Sequence, residues 1–519
     1  TISGNKIEAN VLDFRVYNRN KDKLYYSLNS ATSGASSGNV IEAWPGKYKE
    51  NVVVSTRLTI LGSGTTRTII DARYLGSGIR FSYSSDYSSV KNLRVTHSLN
   101  SSSCCSETGS YGGIYAYQSD YLTIDNVHFF ESYTGFFNYY SRYVVVKNSV
   151  FDRGTLTNYW SGMYLYAVHD GELINNEIKK YSVGIYLSYV YQGLKITNNH
   201  IHNSTSSGIY LNNAGSSGYS SNPIKIVNNR IIDNNYGLRE YGSSSSYSRY
   251  IIFEDNLVKS SSYHGIYCYY YCQDWTVENN TFDGDSDQTY GVHFKQGYRT
   301  KFGNNTFSDH TNYDMYLESC GTGSNSTKFF YNTYSSIGIT SSCRVDIYNN
   351  LNVKTVEQDS DPFSNVELEI KDSSKTYYET PHWGGSDSLT DSNGFISNSM
   401  LIRSGYYSSS STLVSNNITM NFAYGIRAKS TWILFDEDTT KSITVPDAFR
   451  FGAVENTNTS VLYTSLSSAI SAASIGNVLN VWAWTYNENV EITEGITLIG
   501  NSTATAIING GTGDYSIEV

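Results

Sequence analysis

Residues 184–199 read GIYLSYVYQGLKITNN, and the alternation within them decides the fold. Ile185 and Leu187 share one face and Tyr186 takes the other; Leu194 and Ile196 repeat the arrangement. A period of two over so few residues predicts short strands that bury alternate side chains. The unit recurs along the chain. A glycine with an apolar follower stands at Gly113-Ile114, Gly135-Phe136, Gly162-Met163, Gly184-Ile185, Gly208-Ile209, Gly237-Leu238, Gly265-Ile266 and Gly291-Val292, and Asp314-Met315 takes the next place. Each is followed by an asparagine: Asn126, Asn148, Asn176, Asn199, Asn229, Asn256, Asn280, Asn305, Asn332 and Asn350. A repeat of roughly two dozen residues without helical spacing means a solenoid. One such strand closes no core. Rungs stacked about 4.8 Å apart bond along the axis and merge their inward residues into one column.

The asparagine suits a turn, since it tolerates the left-handed backbone and can bond to its neighbour one rung on. The glycine is expected at a second tight corner. With its GIYL-type strands and NN-x-I turns, the chain resembles the right-handed parallel β-helix family. The block Ala43-Trp44-Pro45-Gly46-Lys47-Tyr48-Lys49-Glu50-Asn51-Val52, followed by Leu58–Gly62 and Ile69–Asp71, is similar to the first rungs of pectinesterase- and NosD-like members. The resemblance implies an all-β solenoid over residues 20–355. Leu24, Leu28, Ala31 and Ala35 are expected on one face of a short helix that caps its end.

Residues Leu24–Asp71 align without a gap with Leu462–Asn509, and Leu462, Leu466, Ala469 and Ala473 repeat the helical face. Residues 447–519 therefore read as the start of a second β-helix, and residues 1–19 as a connector or assembly segment, with Ile2 to Val16 as candidate donor strands. Between 356 and 446 the period is lost. Val366-Glu367-Leu368-Glu369-Ile370 alternates, and strand-like runs such as Trp432-Ile433-Leu434-Phe435 follow between turns. That stretch resembles the antiparallel immunoglobulin-like sandwiches of archaeal and bacterial surface proteins. A block that recurs unfinished suggests one period of an array.

The net charge is -10 and 16% of residues are charged, so no basic surface for nucleic acid is expected. No apolar run is long enough to cross a membrane as a helix. Cys104, Cys105, Cys268, Cys272, Cys320 and Cys343 form an even set whose spacings, with the histidines, do not match a zinc motif. Cys320 with Cys343, one rung apart, and Cys268 with Cys272 are candidate disulfides; Cys104-Cys105 reads as an inter-subunit pair, a vicinal bridge or free thiols. Sequons stand at Asn100, Asn203, Asn279, Asn304, Asn325, Asn417, Asn458 and Asn501. With the cysteines they favour an extracellular or cell-surface setting and N-linked glycans.

Chemistry is sparse in this reading. Asp283, Asp285 and Asp287 alternate as calcium ligands can, without the closing glutamate of an EF-hand loop. His169-Asp170 and His264 have no recurring carboxylate pair beside them, so no catalytic residue is expected. The 48 tyrosines carry the stronger signal. Alternation points Tyr115, Tyr117, Tyr164, Tyr166, Tyr186, Tyr210, Tyr267 and Tyr269 outward as ladders, which would stack on themselves and offer a contact surface. The expectation is a non-enzymatic structural protein whose modules join end to end in a filament or surface layer, similar to S-layer-type proteins of archaea. The alternative is a polysaccharide-binding adhesin or a polysaccharide-active β-helix.

Overall fold

The computed structural model describes residues 15–98, 112–157, 159–215, 220–242, 248–340, 343–356, 362, 364–397, 400–408, 412–424, 427–435, 439–444, 454–482, 484–500, 506–510 and 516–518. Cys104, Cys105, Asn100 and Asn501 lie outside them, as do residues 1–14 of the expected N-terminal connector and residues 445–453. Contacts divide the chain into two compact units, Thr1–Asp346 with Tyr407–Thr412, and Ile347–Tyr406 with Leu413–Val519.

The first unit is a parallel β-solenoid whose turns run through three sheets. Val183–Ser188 belongs to sheet three, Gln192–Thr197 to sheet one and His200–His202 to sheet two. Ser207–Asn212 then stacks on Val183–Ser188 in register, Ile185 on Ile209 and Leu187 on Leu211. The inward residues form continuous columns. Ile114, Phe136, Met163, Ile185, Ile209, Leu238, Ile266, Val292 and Met315 follow one another in sheet three, each with 0% exposure. Aromatic pairs continue the stacking inside, with Phe282 and Phe307 ring centroids 4.8 Å apart.

The asparagine turn divides its two tasks between neighbouring residues. Asn175, Asn198, Asn228, Asn279 and Asn304 take the left-handed backbone, with φ from 50° to 58°. The residues after them, Asn176, Asn199, Asn229, Asn280 and Asn305, are buried and form the ladder, which also includes Asn256. Asn199 donates from Nδ2 to Asn229 Oδ1 (3.0 Å), and Asn229 does the same to Asn256 (3.0 Å). Three expected members fall elsewhere. Asn126 and Asn148 are exposed left-handed residues, with φ 53° and 51°, and Ser149 holds the ladder position beside Asn148. Asn350 lies in the long strand Arg344–Val356.

The recurring glycine is not a positive-φ corner. A Cβ at Gly184 would stand 2.5 Å from the Gly208 carbonyl oxygen and 2.5 Å from Ile201 Cγ2. Glycine is required because successive rungs approach too closely for any side chain. Gly184→Ala should therefore lower unfolding stability by about 1–3 kcal/mol or more, read as a fall in denaturation midpoint.

The helix Leu28–Ser33 closes one end, its Ser27 hydroxyl accepting the Ser30 N–H. The Glu50 carboxylate accepts the Leu28 and Asn29 amides at 3.1 and 2.9 Å. The helix is shorter than expected: Leu24 lies in the strand Lys23–Tyr25 and Ala35 beyond the helix end. In the second unit, Leu466–Ala472 repeats the design. Ser465 caps it, and Glu488 accepts the Leu466 and Ser467 amides at 3.1 and 2.9 Å. Leu462 lies in the strand Val461–Tyr463, as Leu24 does in its own. The pairing repeats as well: Leu479 opposes Leu498 in parallel as Ile41 opposes Ile60.

Elsewhere in the second unit, Glu367–Lys371 pairs antiparallel with Thr376–Glu379 and with Leu413–Tyr424, which pairs antiparallel with Arg427–Phe435. Val353, Leu368, Ile370, Ile402, Ile418 and Met420 belong to one buried cluster. One pair is parallel, Leu351–Val356 with Thr439–Thr444. These pairings establish β structure around a core. They do not establish the expected immunoglobulin-like order, nor more of a second solenoid than its opening topology.

Candidate functional site

The outward face of sheet three gathers the polar chemistry. The column two residues after each glycine runs Tyr115, Phe137, Tyr164, Tyr186, Tyr210, Arg239, Tyr267, His293 and Tyr316. It is aromatic except at Arg239 and His293. Beside it, Tyr236, His264, Tyr290 and Tyr313 form a second column. Glu318 lies two residues beyond Tyr316 on the same face.

Three successive strands, His264–Cys268, Tyr290–Tyr298 and Tyr313–Ser319, thereby place His264, His293 and Glu318 on a diagonal. His293 Nε2–H donates to the Glu318 carboxylate at 2.7 Å. That tautomer leaves His293 Nδ1 to accept from His264 Nε2–H at 3.2 Å. Burial pushes His264 down to about 4, helped by the neighbouring His293 and Arg239 charges. Burial also lowers His293, against the pull of Glu318. Both rings are then neutral at pH 7 behind a carboxylate whose side chain is 32% exposed.

Aromatic rings wall this centre. His293 lies 5.1 Å from the Tyr267 ring, 5.2 Å from Tyr290 and 4.9 Å from Tyr316. Two cations share the face. Arg239 lies 5.0 Å from the Tyr236 and Tyr241 rings and 5.8 Å from Tyr210, with no carboxylate partner among the described residues. Lys295, two residues after His293, lies 4.5 Å above the Tyr269 ring. Glu318 is the one carboxylate among the outward positions of the three strands that carry the diagonal.

The tyrosine ladders are mostly edge-out. Tyr186 and Tyr210 stack at 4.7 Å and 18°, so their faces meet each other, and both rings are half-buried, with Asn212 Nδ2 donating to the Tyr186 hydroxyl at 3.4 Å. Tyr117 and Tyr166 both pack on Tyr139, at 5.6 and 5.0 Å. Tyr164 turns edge-on to Tyr186. Tyr115 differs from expectation. It is fully buried, its ring 5.5 Å from Phe137, and offers no contact surface.

The other sequence candidates scatter. Cys268 is bonded to Cys272, and Cys320 to Cys343. Asp283 Oδ2 accepts from Lys259 Nζ at 2.8 Å, and Asp285 lies 3.9 Å from the same ammonium. Asp283 and Asp285 thus face a cation, and they and Asp287 do not converge as a ligand set. Asn203, Asn279, Asn304, Asn325, Asn417 and Asn458 are all exposed. His169 stacks on Tyr191 at 4.3 Å, away from the His264 diagonal.

Glu240 points the other way, into the interior, with 0% exposure. Burial pushes its carboxyl up to about 7, although the Tyr270 and Gly242 amides donate to it. A carboxyl raised in the folded state binds its proton there first. Its stabilising effect is complete below about 4.5 and lost as pH rises through about 7. The difference amounts to about 3 kcal/mol. Glu240→Gln should remove that slope, leaving unfolding stability flatter between pH 5 and pH 8 in denaturant titrations.

The family described as right handed beta helix region matches residues 77–249 and 217–357, and the chain belongs to it. No curated protein matches in sequence. Among solved structures, the chain is similar to the A-module of the Azotobacter vinelandii mannuronan C-5 epimerase AlgE4. Identity is 15% and the TM-score 0.46, over 59% of this chain and 89% of that one. It is also similar to the Yersinia enterocolitica family 28 exopolygalacturonase, at 13% identity and a TM-score of 0.38, over 62% and 74%. The Dettilon tailspike protein gives 13% and 0.43, over 74% of each chain. At these values the likeness speaks to the fold alone.

The expectation of a non-enzymatic chain finds no support among these neighbours. The similar solved structures include an epimerase, glucanases and an exopolygalacturonase. No carboxylate pair stands beside His264 among the described residues; a single carboxylate, Glu318, connects to it through His293, two rungs and one rung on respectively.

Proposed function

We propose that this chain is a polysaccharide-active β-helix protein whose sheet-three face binds an acidic polysaccharide and transfers a proton at Glu318. The carrying observation is the hydrogen-bonded row His264, His293 and Glu318 on a tyrosine-lined face that also bears Arg239 and Lys295. A single exposed carboxylate does not make the acid–base pair of glycoside hydrolysis, which needs two carboxyl groups roughly 5–10 Å apart. It does suit proton abstraction beside a sugar carboxylate. Glu318 accepts the proton, and His293 holds the carboxylate in place and stabilises the charge that shifts. Lys295 is placed to neutralise charge developing on that sugar carboxylate. Arg239 stands two rungs away, about 10 Å along the axis, where it would meet the acid group of another sugar unit. Tyrosine edges supply hydroxyls along the path.

An extracellular setting, with glycans at the exposed sequons, forms part of this proposal. It is supported by the two disulfides. End-to-end assembly rests on the duplicated block alone.

The test offers polymannuronate, polygalacturonate and α-1,3-glucan to the protein. Absorbance of unsaturated sugars, solvent-deuterium exchange at carbon-bound hydrogen and new reducing ends are followed in parallel. Elimination or exchange on an acidic polymer is expected. New reducing ends without either, on the neutral glucan, would refute the proton-abstraction reading, and binding without turnover would favour an adhesin. Arg239→Ala should weaken binding of the acidic polymer about 10-fold or more, and binding of a neutral glucan little, in affinity electrophoresis.

A further inference from the structure

One corner of the solenoid interior is built unlike the rest. The inward column of sheet three runs Leu165, Leu187 and Leu211, then Glu240 and Cys268, then Phe294 and Leu317. Glu240, Cys268 and Cys272 all have 0% exposure. The carboxylate accepts the Gly242 amide at 2.9 Å, the Tyr270 amide at 3.0 Å and the Ser248 hydroxyl at 3.4 Å. One oxygen takes the Gly242 and Ser248 donors and the other takes Tyr270, so an amide, with a single acceptor oxygen, could not accept from all three. A carboxylate in a leucine column also brings negative charge, at a desolvation penalty. A bound cation would offset that penalty.

The donors for one are present. A Glu240 carboxylate oxygen and the two sulfurs lie within 4.8 Å of one another, the one such group of three among the described residues. Zinc holds sulfur at about 2.3 Å and carboxylate oxygen at about 2.0–2.2 Å, so its ligands need stand only some 3–4 Å apart. The Cys268–Cys272 spacer alone falls within the two to four residues of a zinc-ligand pair; the full zinc motif is missing in sequence because no second such cysteine pair accompanies it. The third donor comes from the preceding rung, which the cysteine spacing alone does not reveal.

We propose that this corner is a redox-gated site for zinc, or a similarly thiophilic divalent cation, held by Cys268, Cys272 and Glu240 when the disulfide is reduced. A dithiol reductant delivers two electrons and two protons: the Cys268–Cys272 bond breaks, two thiols form, and the reductant closes to its own disulfide. The cation then displaces both thiol protons to solvent and is bound by two thiolates and one carboxylate. The Tyr270 carbonyl oxygen, 3.7 Å from Cys268 Sγ and 3.9 Å from Cys272 Sγ, stands near the fourth position. Disulfide and cation are alternative closures of the loop carrying Tyr269, so the face above keeps its shape in either state.

The full chain is reduced with a non-chelating phosphine, desalted without oxygen and titrated with cobalt(II), then zinc. The thiolate-to-cobalt absorption band reports sulfur ligation, and a matched Cys268→Ser/Cys272→Ser chain subtracts any metal taken by the other cysteines. One additional metal per reduced chain is expected, with none at this corner before reduction. Glu240→Gln should retain the band but weaken zinc binding at least about 10-fold. A cooperative melt checks that each variant is folded. If the reduced chain takes up no more metal than the double serine variant, or the glutamine variant binds equally well, the site is refuted.

Discussion

Replacing Glu318 by Gln is expected to lower turnover of the acidic polysaccharide by about 100- to 10,000-fold, the usual loss when a positioned proton acceptor is removed. Gln keeps the size of the side chain and can still accept the 2.7 Å bond from His293. It cannot take a proton from carbon. Binding should therefore change little while kcat falls, the pattern of an interaction used in the transition state. His293→Ala should give a smaller loss in kcat, because Glu318 remains but loses the group that orients it. Its pH profile should also change, since the neutral imidazole no longer stands behind the carboxylate. Initial rates and affinity electrophoresis on the same polymer separate the two effects. Equal loss of binding and turnover in Glu318→Gln would mean that Glu318 only holds substrate.

Asn229→Ala, within the asparagine ladder, should lower stability by about 3–5 kcal/mol. Asn229 Oδ1 accepts from the Asn199 amide at 2.9 Å and from Asn199 Nδ2 at 3.0 Å. Its own Nδ2 donates to the Ile196 carbonyl at 2.8 Å, the Val227 carbonyl at 3.1 Å and Asn256 Oδ1 at 3.0 Å. Ala leaves several of these groups buried without partners, and water cannot reach them. Each such group costs about 1–3 kcal/mol, partly relieved by local relaxation. Asn228→Ala, one residue earlier, removes an exposed side chain with φ 56° and should cost only the left-handed penalty of about 1–2 kcal/mol. Denaturant melts of the two neighbours compare ladder and turn directly. Similar losses would mean that the ladder adds nothing beyond the turn.

The same neighbours show what could be read from residues in a row. That asparagine serves a turn and a ladder follows from its chemistry, but which of two adjacent asparagines does which depends on where the next rung lies. The glycine column shows the same limit. Its recurrence is plain, yet its cause is the Gly208 carbonyl of the following rung and the Ile201 side chain later in the same turn. The site was half visible. Counting two residues from each glycine already reveals Arg239 and His293 interrupting a tyrosine column. Glu318, four residues after the glycine-equivalent Asp314, belongs to the next column. His264 has no carboxylate close to it in sequence, and the one that reaches it through His293 comes from two rungs on.

By itself the sequence determined the solenoid and the alternation of inward and outward residues along its strands, because a period of two leaves one arrangement that buries Ile185 and Leu187. Tertiary structure alone decided which outward residues meet. Stacking brings together groups a full rung apart in the chain, so the diagonal of His264, His293 and Glu318 exists only once the rungs are laid on one another. Glu240 beside the Cys268–Cys272 pair has the same origin: an inward position is legible from alternation, but its neighbour is set by the hydrogen bonds between strands.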